Sequence, residues 1–171
     1  MALTFLLGGA RSGKSSLAVR LASEWPGPVV FVATAGRRDD PEMHRRIEAH
    51  RAERPGTWTT VEEPLELLPA VAGAPADACL VVDCLTLWVA NALEAGWSDE
   101  TAEAFAVEAA RSAAGRRAPT IVVSNEVGLG LVPETPLGRR YRDVLGRVNA
   151  AFAAEAERAA LVVAGRTLEL R

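Results

Sequence analysis

Leu3-Thr4-Phe5-Leu6-Leu7 runs directly into Gly8-Gly9-Ala10-Arg11-Ser12-Gly13-Lys14-Ser15, and helix-forming residues continue from Lys14 to Glu24. An aliphatic strand, a G-x-x-x-x-G-K-S loop and a helix in that order predict a phosphate cradle. The glycines let successive main-chain N–H groups converge on phosphate oxygens, at a helix N-terminus whose dipole already favours anions. Lys14 adds a point charge at the β- and γ-phosphates of a nucleoside triphosphate, and the Ser15 hydroxyl takes one coordination site on Mg²⁺. A glycine-rich turn with a chance lysine would not need the full spacing in this context.

Four further runs, Val29 to Ala33, Leu80 to Asp83, Thr120 to Ser124 and Leu161 to Ala164, are short and aliphatic without clean polar alternation. With Leu3 to Leu7 they read as five parallel strands buried on both faces. Helical patterns lie between or beside them, at Lys14 to Glu24, Pro41 to Glu53, Leu65 to Val71, Thr86 to Glu94, Asp99 to Ala114 and Leu137 to Ala159. The alternation predicts an α/β fold, a three-layer sandwich with a mostly parallel sheet and P-loop NTPase (RecA-like) architecture. Pro26-Gly27-Pro28 and Arg54-Pro55-Gly56 are turns within one expected domain spanning 171 residues, and Pro119 opens a strand after the basic helix end Arg116-Arg117.

Composition narrows the partners. With 22 acidic against 19 basic side chains the formal charge is −3, which gives no net attraction to a polyanion and argues against nucleic acid. Cys79 and Cys84 lie within and just after one strand, so free thiols in a reducing cytoplasm are expected. No stretch is long enough to span a bilayer, and Met1 to Leu7 is too short for a secretory signal.

Leu80-Val81-Val82-Asp83 is an aliphatic strand ending in a carboxylate, as in a Walker B element, and Asp83 is expected to hold Mg²⁺ beside the phosphates. That reading puts the Asp83 strand next to the strand feeding the glycine loop. The alternative is that Asp83 caps the helix beginning near Thr86.

The only histidines, His44 and His50, fall in the segment after the second strand. Met43, Ile47 and His50 share a helical stripe, whereas His44 sits off it among arginines. His50 is then either a core-facing imidazole satisfied by a backbone carbonyl or a nucleophile directed at phosphorus, and spacing does not choose between these. Arg45, Arg46, Arg51 and Arg54 surround it, as a solvated basic face or as phosphate ligands.

Beyond the glycine loop stand VATA at the end of the second strand and EM-x-x-RI-x-x-H-x-x-x-RP-x-x-W from Glu42 to Trp58. Asn125-Glu126-Val127-Gly128 continues to Pro133, and Tyr141-Arg142-Asp143 leads to Gly146-Arg147-Val148-Asn149. From Leu3 to Leu170 the chain resembles the bifunctional adenosylcobinamide kinase / adenosylcobinamide-phosphate guanylyltransferase family of cobalamin biosynthesis. The resemblance implies two reactions: phosphorylation of adenosylcobinamide by a nucleoside triphosphate, GTP or ATP, and transfer of GMP from GTP to adenosylcobinamide phosphate. It assigns the guanylylated histidine to His50 and carries nucleotide contacts onto Gly8, Gly9, Ala10, Arg11, Ser12, Gly13, Lys14 and Ser15. It extends them to Ala33, Thr34, Ala35, Arg51, Ala52, Glu53, Arg54, Glu62 and Asp83, with Glu63 as the alternative to Glu62. It also implies a homo-oligomer, a trimer being the suggested form, although no oligomer signal is readable.

The two reactions call for different alignments, because γ-phosphoryl transfer proceeds at Lys14 while His50 must come in line with the α-phosphorus. The helix bearing His50 is therefore expected to move, or GTP to rebind, with Arg54-Pro55-Gly56 as a hinge. Guanine preference rests on the resemblance alone, since the N-K-x-D base-reading motif is absent. Asn125 and Glu126, at a strand's C-terminal end, read as ligand contacts or as a self-satisfied polar turn. Trp25, Trp58, Trp88 and Trp97 read as packing residues, with stacking on a corrin ring the alternative. A kinase without nucleotidyl transfer, or a nucleotide-binding switch, are the competing functions.

Overall fold

The computed structural model describes residues 3–36, 45, 47, 48, 51, 52 and 54–171. Among them seven strands form one sheet in the order β3-β2-β4-β5-β1-β6-β7. The strands are β1 (Leu3–Gly8), β2 (Val29–Ala33), β3 (Thr59–Glu62), β4 (Cys79–Asp83), β5 (Thr120–Asn125), β6 (Arg158–Val163) and β7 (Arg166–Leu170). All neighbouring pairs are parallel except β6 and β7, which form an antiparallel hairpin. The described helices are α1 (Lys14–Ser23), α2 (Leu67–Gly73), α3 (Leu85–Glu94), α4 (Asp99–Ala114) and α5 (Pro136–Glu155).

The two strands that the hydropathy pattern misses are both at sheet edges. Thr59–Glu62 is short and mostly exposed, and every residue of Arg166–Leu170 is exposed. With one edge unpaired and little burial, neither carries the aliphatic run that marks an interior strand. The last helix is also shorter than expected. It ends at Glu155 with Ala156 extended, and Arg158 to Val163 enters the sheet beside β1. Alanine's helix propensity yields there to parallel pairing and burial of Ala160 and Val162.

The sheet divides two cores. On one face Leu3, Phe5, Val32, Leu80, Val82 and Val122 meet α2, α3, α4 and α5, with Trp88 wholly buried. On the other, Leu6, Phe31, Val81, Ile121 and Val123 meet α1 through Leu17, Ala18 and Ala22. Helix α4 buries a stripe made only of alanine, Ala102, Ala106, Ala109, Ala110 and Ala113, which lets it lie close to its neighbours. Arg140 and Arg147 of α5 reach back to Asp99, at 2.6 and 3.2 Å.

Arg116, expected to be part of a basic helix end, turns inward. Its guanidinium donates to the carbonyls of Val71, Ala74, Pro75 and Ala78 at 2.8–3.2 Å, tying the end of α2 to the entry of β4. A planar fork can serve four acceptors at once and an ammonium cannot. Arg116→Ala is expected to lower unfolding stability by about 2–3 kcal/mol in urea titrations, with Arg116→Lys recovering less than half of the loss.

Candidate active site

The C-terminal ends of β1, β2, β4 and β5 open onto a cleft of about 480 Å³. Lining it are Ala10 to Ser16 of the glycine loop and α1, with Phe31, Ala33, Ala35, Ile47, Arg54, Asp83, Cys84, Thr86, Leu87, Val123 and Asn125. Its volume lies within the usual range for small-molecule sites.

Close packing dictates Gly8, and backbone conformation Gly13. A Cβ on Gly8 would stand 2.3 Å from the Val162 carbonyl oxygen, so β1 can approach β6 there only without a side chain. Gly13, at φ 100, is the N-cap of α1 and adopts the left-handed backbone that glycine tolerates. Arg11 also takes a left-handed backbone, φ 55, which is uncommon for a side-chain-bearing residue and recurs at ligand-gripping turns. Within the loop Lys14 is 6% exposed, and its Nζ donates to the Gly9 carbonyl at 2.6 Å and the Ser12 hydroxyl at 3.4 Å. Burial lowers the Lys14 pKa, while Cys84 and the Asp83 carboxylate oppose that shift.

Asp83 does not cap the following helix. The N-cap of α3 is Cys84, and no side chain caps it. The carboxylate instead shares the cleft with Ser15, and these two hard oxygen donors suit Mg²⁺, which keeps most of its coordination for phosphate oxygens and water. One expectation about the sheet fails: β5 lies between β1 and β4, so the loop strand and the Asp83 strand are not neighbours. Asp83 reaches the cleft across one intervening strand, whose own end supplies Val123 and Asn125 to the lining.

Arg54 stacks 4.0 Å over the Phe31 ring, and its Nη1 donates to Thr60 Oγ1 at 3.4 Å. Burial and then nearby Arg51 lower its pKa, and Asp83 acts in the opposite direction. Arg51 pairs loosely with Glu62 at 4.0 Å, both well exposed, and neither lines the cleft. Glu62 and Glu63 have different surroundings, and neither lines the cleft. Glu63 Oε1 accepts the N–H groups of Leu65 and Glu66 at 3.1 and 2.9 Å and caps that turn, whereas Glu62 turns to Arg51.

Ala33 and Ala35 line the cleft, but Thr34 between them is fully buried. Its hydroxyl donates to the Cys84 carbonyl at 2.6 Å and accepts the Cys84 N–H at 2.8 Å, clasping the ends of β2 and β4. Ala52 is exposed and does not line the cleft. Met43, His44, His50 and Glu53 lie outside the described residues, so of the Met43-Ile47-His50 stripe only Ile47 is described, and Arg45, Ile47, Glu48, Arg51 and Ala52 are helical as expected.

The Asn125 turn is held from several sides. Its N–H donates to Thr86 Oγ1 at 2.8 Å, its carbonyl accepts from Asn149 Nδ2 at 3.1 Å, and Tyr141 Oη donates to the Thr86 carbonyl at 3.2 Å. Glu126 Oε1 accepts the Gly128 N–H, so that carboxylate partly closes its own turn. None of the tryptophans lines the cleft: Trp88 and Trp97 pack edge to face, 6.1 Å apart, and Trp25 and Trp58 pack against the second core. Phe31, Thr86 and Leu87 are contributors that sequence reading missed. Nothing in an interior aliphatic strand or a helix's first turn distinguishes a residue facing a cleft from one facing the core.

A family model described as cobinamide kinase / cobinamide phosphate guanyltransferase (CobU) matches residues 4–170. The chain belongs to that family. It is 47% identical over 170 residues to the bifunctional adenosylcobalamin biosynthesis protein CobP of Pseudomonas aeruginosa, covering 97% of this chain and 95% of that one. It is 39% identical over 183 residues to the corresponding CobU protein of Salmonella typhimurium, covering 99% of each. Among solved structures it resembles a prototypical ATPase of the bacterial type III secretion system, with TM-score 0.59 and 11% identity over 94% of this chain. The assembled ATPase EscN of enteropathogenic E. coli gives TM-score 0.54 and 13% identity over 95%. The chain spans 50% and 43% of those two proteins, and at such identities the likeness is one of fold, the RecA-like P-loop architecture.

The cleft thiol differs chemically from its charged neighbours. Burial, with Asp83 next to it, pushes Cys84 up to about 12, and burial pushes Cys79 up to about 11. Both remain protonated thiols at neutral pH, so neither is a nucleophile in the folded protein. Iodoacetamide at pH 8 is expected to modify both cysteines in urea and neither in the native chain, as read by intact mass.

Proposed function

We propose that this chain carries out both reactions of its family: it phosphorylates the aminopropanol hydroxyl of adenosylcobinamide and then guanylylates the resulting phosphate. The observation that carries this reading is a phosphate loop with buried Lys14, facing Asp83 across one cleft, in a chain related end to end to bifunctional enzymes.

In the kinase half the acceptor hydroxyl oxygen bonds to the γ-phosphorus as the bond to the β,γ-bridging oxygen breaks. The nucleoside diphosphate departs and the hydroxyl proton passes to solvent. The main-chain N–H groups from Gly9 to Ser15 and the Lys14 ammonium hold the phosphates and receive the charge that develops on the leaving oxygen. Ser15 and Asp83 would hold Mg²⁺, which offsets phosphate charge. Arg54, pinned by Phe31, presents a guanidinium to the same anion.

In the transferase half a neutral His50 nitrogen bonds to the α-phosphorus of GTP and pyrophosphate leaves. A phosphate oxygen of adenosylcobinamide phosphate then displaces the imidazole, so the N–P bond breaks and adenosyl-GDP-cobinamide forms. In-line attack at the α-phosphorus needs a different alignment from γ-transfer, so a fresh GTP or a shift of the His50 segment separates the two halves. We assign the cytoplasm as the site of action and a homo-oligomer, with three subunits expected, as the working form.

With α-labelled GTP the protein is expected to acquire label that survives alkali and is lost in acid, as a phosphoramidate does. His50→Ala should abolish labelling while retaining γ-phosphoryl transfer to cobinamide, and His44→Ala should label normally. Lys14→Ala should lower phosphoryl transfer by about a hundredfold or more. Acid-stable label, or undiminished labelling of His50→Ala, would remove His50 as the nucleophile, and no label at all would leave a kinase alone.

A further inference from the structure

The β6–β7 hairpin touches the glycine loop at Ser12 and Gly13, on the side away from the strand ends that carry Asp83 and Asn125. Val163 pairs with Arg166, leaving Ala164 and Gly165 as a two-residue turn with φ 50 and 75. Positive φ at both positions marks the type I′ turn, whose twist matches that of the strands it joins. The Gly165 N–H donates to the Ser12 carbonyl at 2.8 Å. Gly13 lies against the same turn, since a Cβ there would stand 3.4 Å from the Gly165 Cα.

Peptide geometry turns this contact into a statement about the cradle. The Ser12–Gly13 peptide is trans, so its carbonyl and its N–H point in opposite directions. Holding the Ser12 carbonyl on the hairpin therefore fixes the Gly13 N–H to point away from the hairpin, in a stretch, Ser12 to Lys14, that lines the cleft. Strand β7 is exposed along its whole length and pairs only with β6. Besides the strand pairing and the Arg158–Glu169 ion pair, at 2.6 Å, the turn is what holds this exposed hairpin together, and Ala164 is a poor residue for its left-handed position.

We propose that the Ala164–Gly165 turn is a positioning element of the nucleotide site, so that affinity for a nucleoside triphosphate follows the stability of the C-terminal hairpin. The proposal rests on the reading that the glycine loop binds the triphosphate. Mg-GTP titrated into the natural chain by calorimetry tests that reading first, and no binding there sinks it.

Three variants then test the coupling. Ala164→Asn creates the favoured Asn-Gly turn and is expected to raise Tm and tighten GTP binding about two- to fivefold. Gly165→Val, which resists positive φ, should weaken GTP about tenfold with the KM for cobinamide unchanged, and Gly165→Asn should restore affinity to within about twofold. Should Gly165→Val fail to fold, Ala164→Asn decides alone. A higher Tm with unchanged GTP affinity, or equal losses for GTP and cobinamide in Gly165→Val, would overturn the proposal.

Discussion

An anion can be held by main-chain amides only where several of them converge, and in this protein that convergence depends on how closely β1 can approach β6. The Val162 carbonyl stands where a Gly8 side chain would begin, so the loop leaves the sheet at a position open to glycine alone. From there Gly13 begins α1 in a left-handed conformation and Lys14 folds back over the loop. The parallel order of the sheet does the rest, bringing Asp83, Asn125 and the Ala33-to-Ala35 segment to the same edge. Remove that close approach and the charged residues have nothing to converge upon.

The supports around the cleft are of two kinds. Some are clasps between strand ends, such as the reciprocal bonds of Thr34 with the Cys84 backbone and the grip of Thr86 and Asn149 on Asn125. Others are charged groups restrained by aromatic or backbone contacts, as Arg54 is by Phe31. The first kind uses neutral groups and fixes geometry, and the second brings charge without letting it wander. Transition-state stabilisation needs both, because a charge helps only when it is aimed before the reaction begins.

Much of this was legible in the amino-acid order. The loop motif, the aliphatic strands and the terminal aspartate are local signals, and family resemblance is carried by motifs spread from Gly8 to Asn149. What stayed hidden was non-local. Thr59–Glu62 and Arg166–Leu170 became strands only because a partner lay beside them, and Arg158 and Ala159, read as the end of a helix, joined the expected strand at Leu161 for the same reason. The place of β5 between β1 and β4 cannot be read from either strand, since crossover order leaves no mark on the residues that cross. The family resemblance makes Thr34 a nucleotide contact, and no local pattern tells that its side chain is buried while those of Ala33 and Ala35 line the cleft.

The alanine stripe of α4 has a consequence for how the protein can change. A methyl side chain has no rotamer to lose on burial, so this seam forms without that entropic cost, but it also has no slack to give. Substitutions there are one-directional: nearly every replacement adds volume and wedges α4 outward, and glycine alone subtracts it. Helix α5, tied to α4 through Asp99, bears the Asn149 that steadies Asn125. Thickening a seam that does not line the cleft would therefore press, through α5, on the rim where Asn125 sits, so on this flank the outward-facing side of α4 is the one that can take added volume.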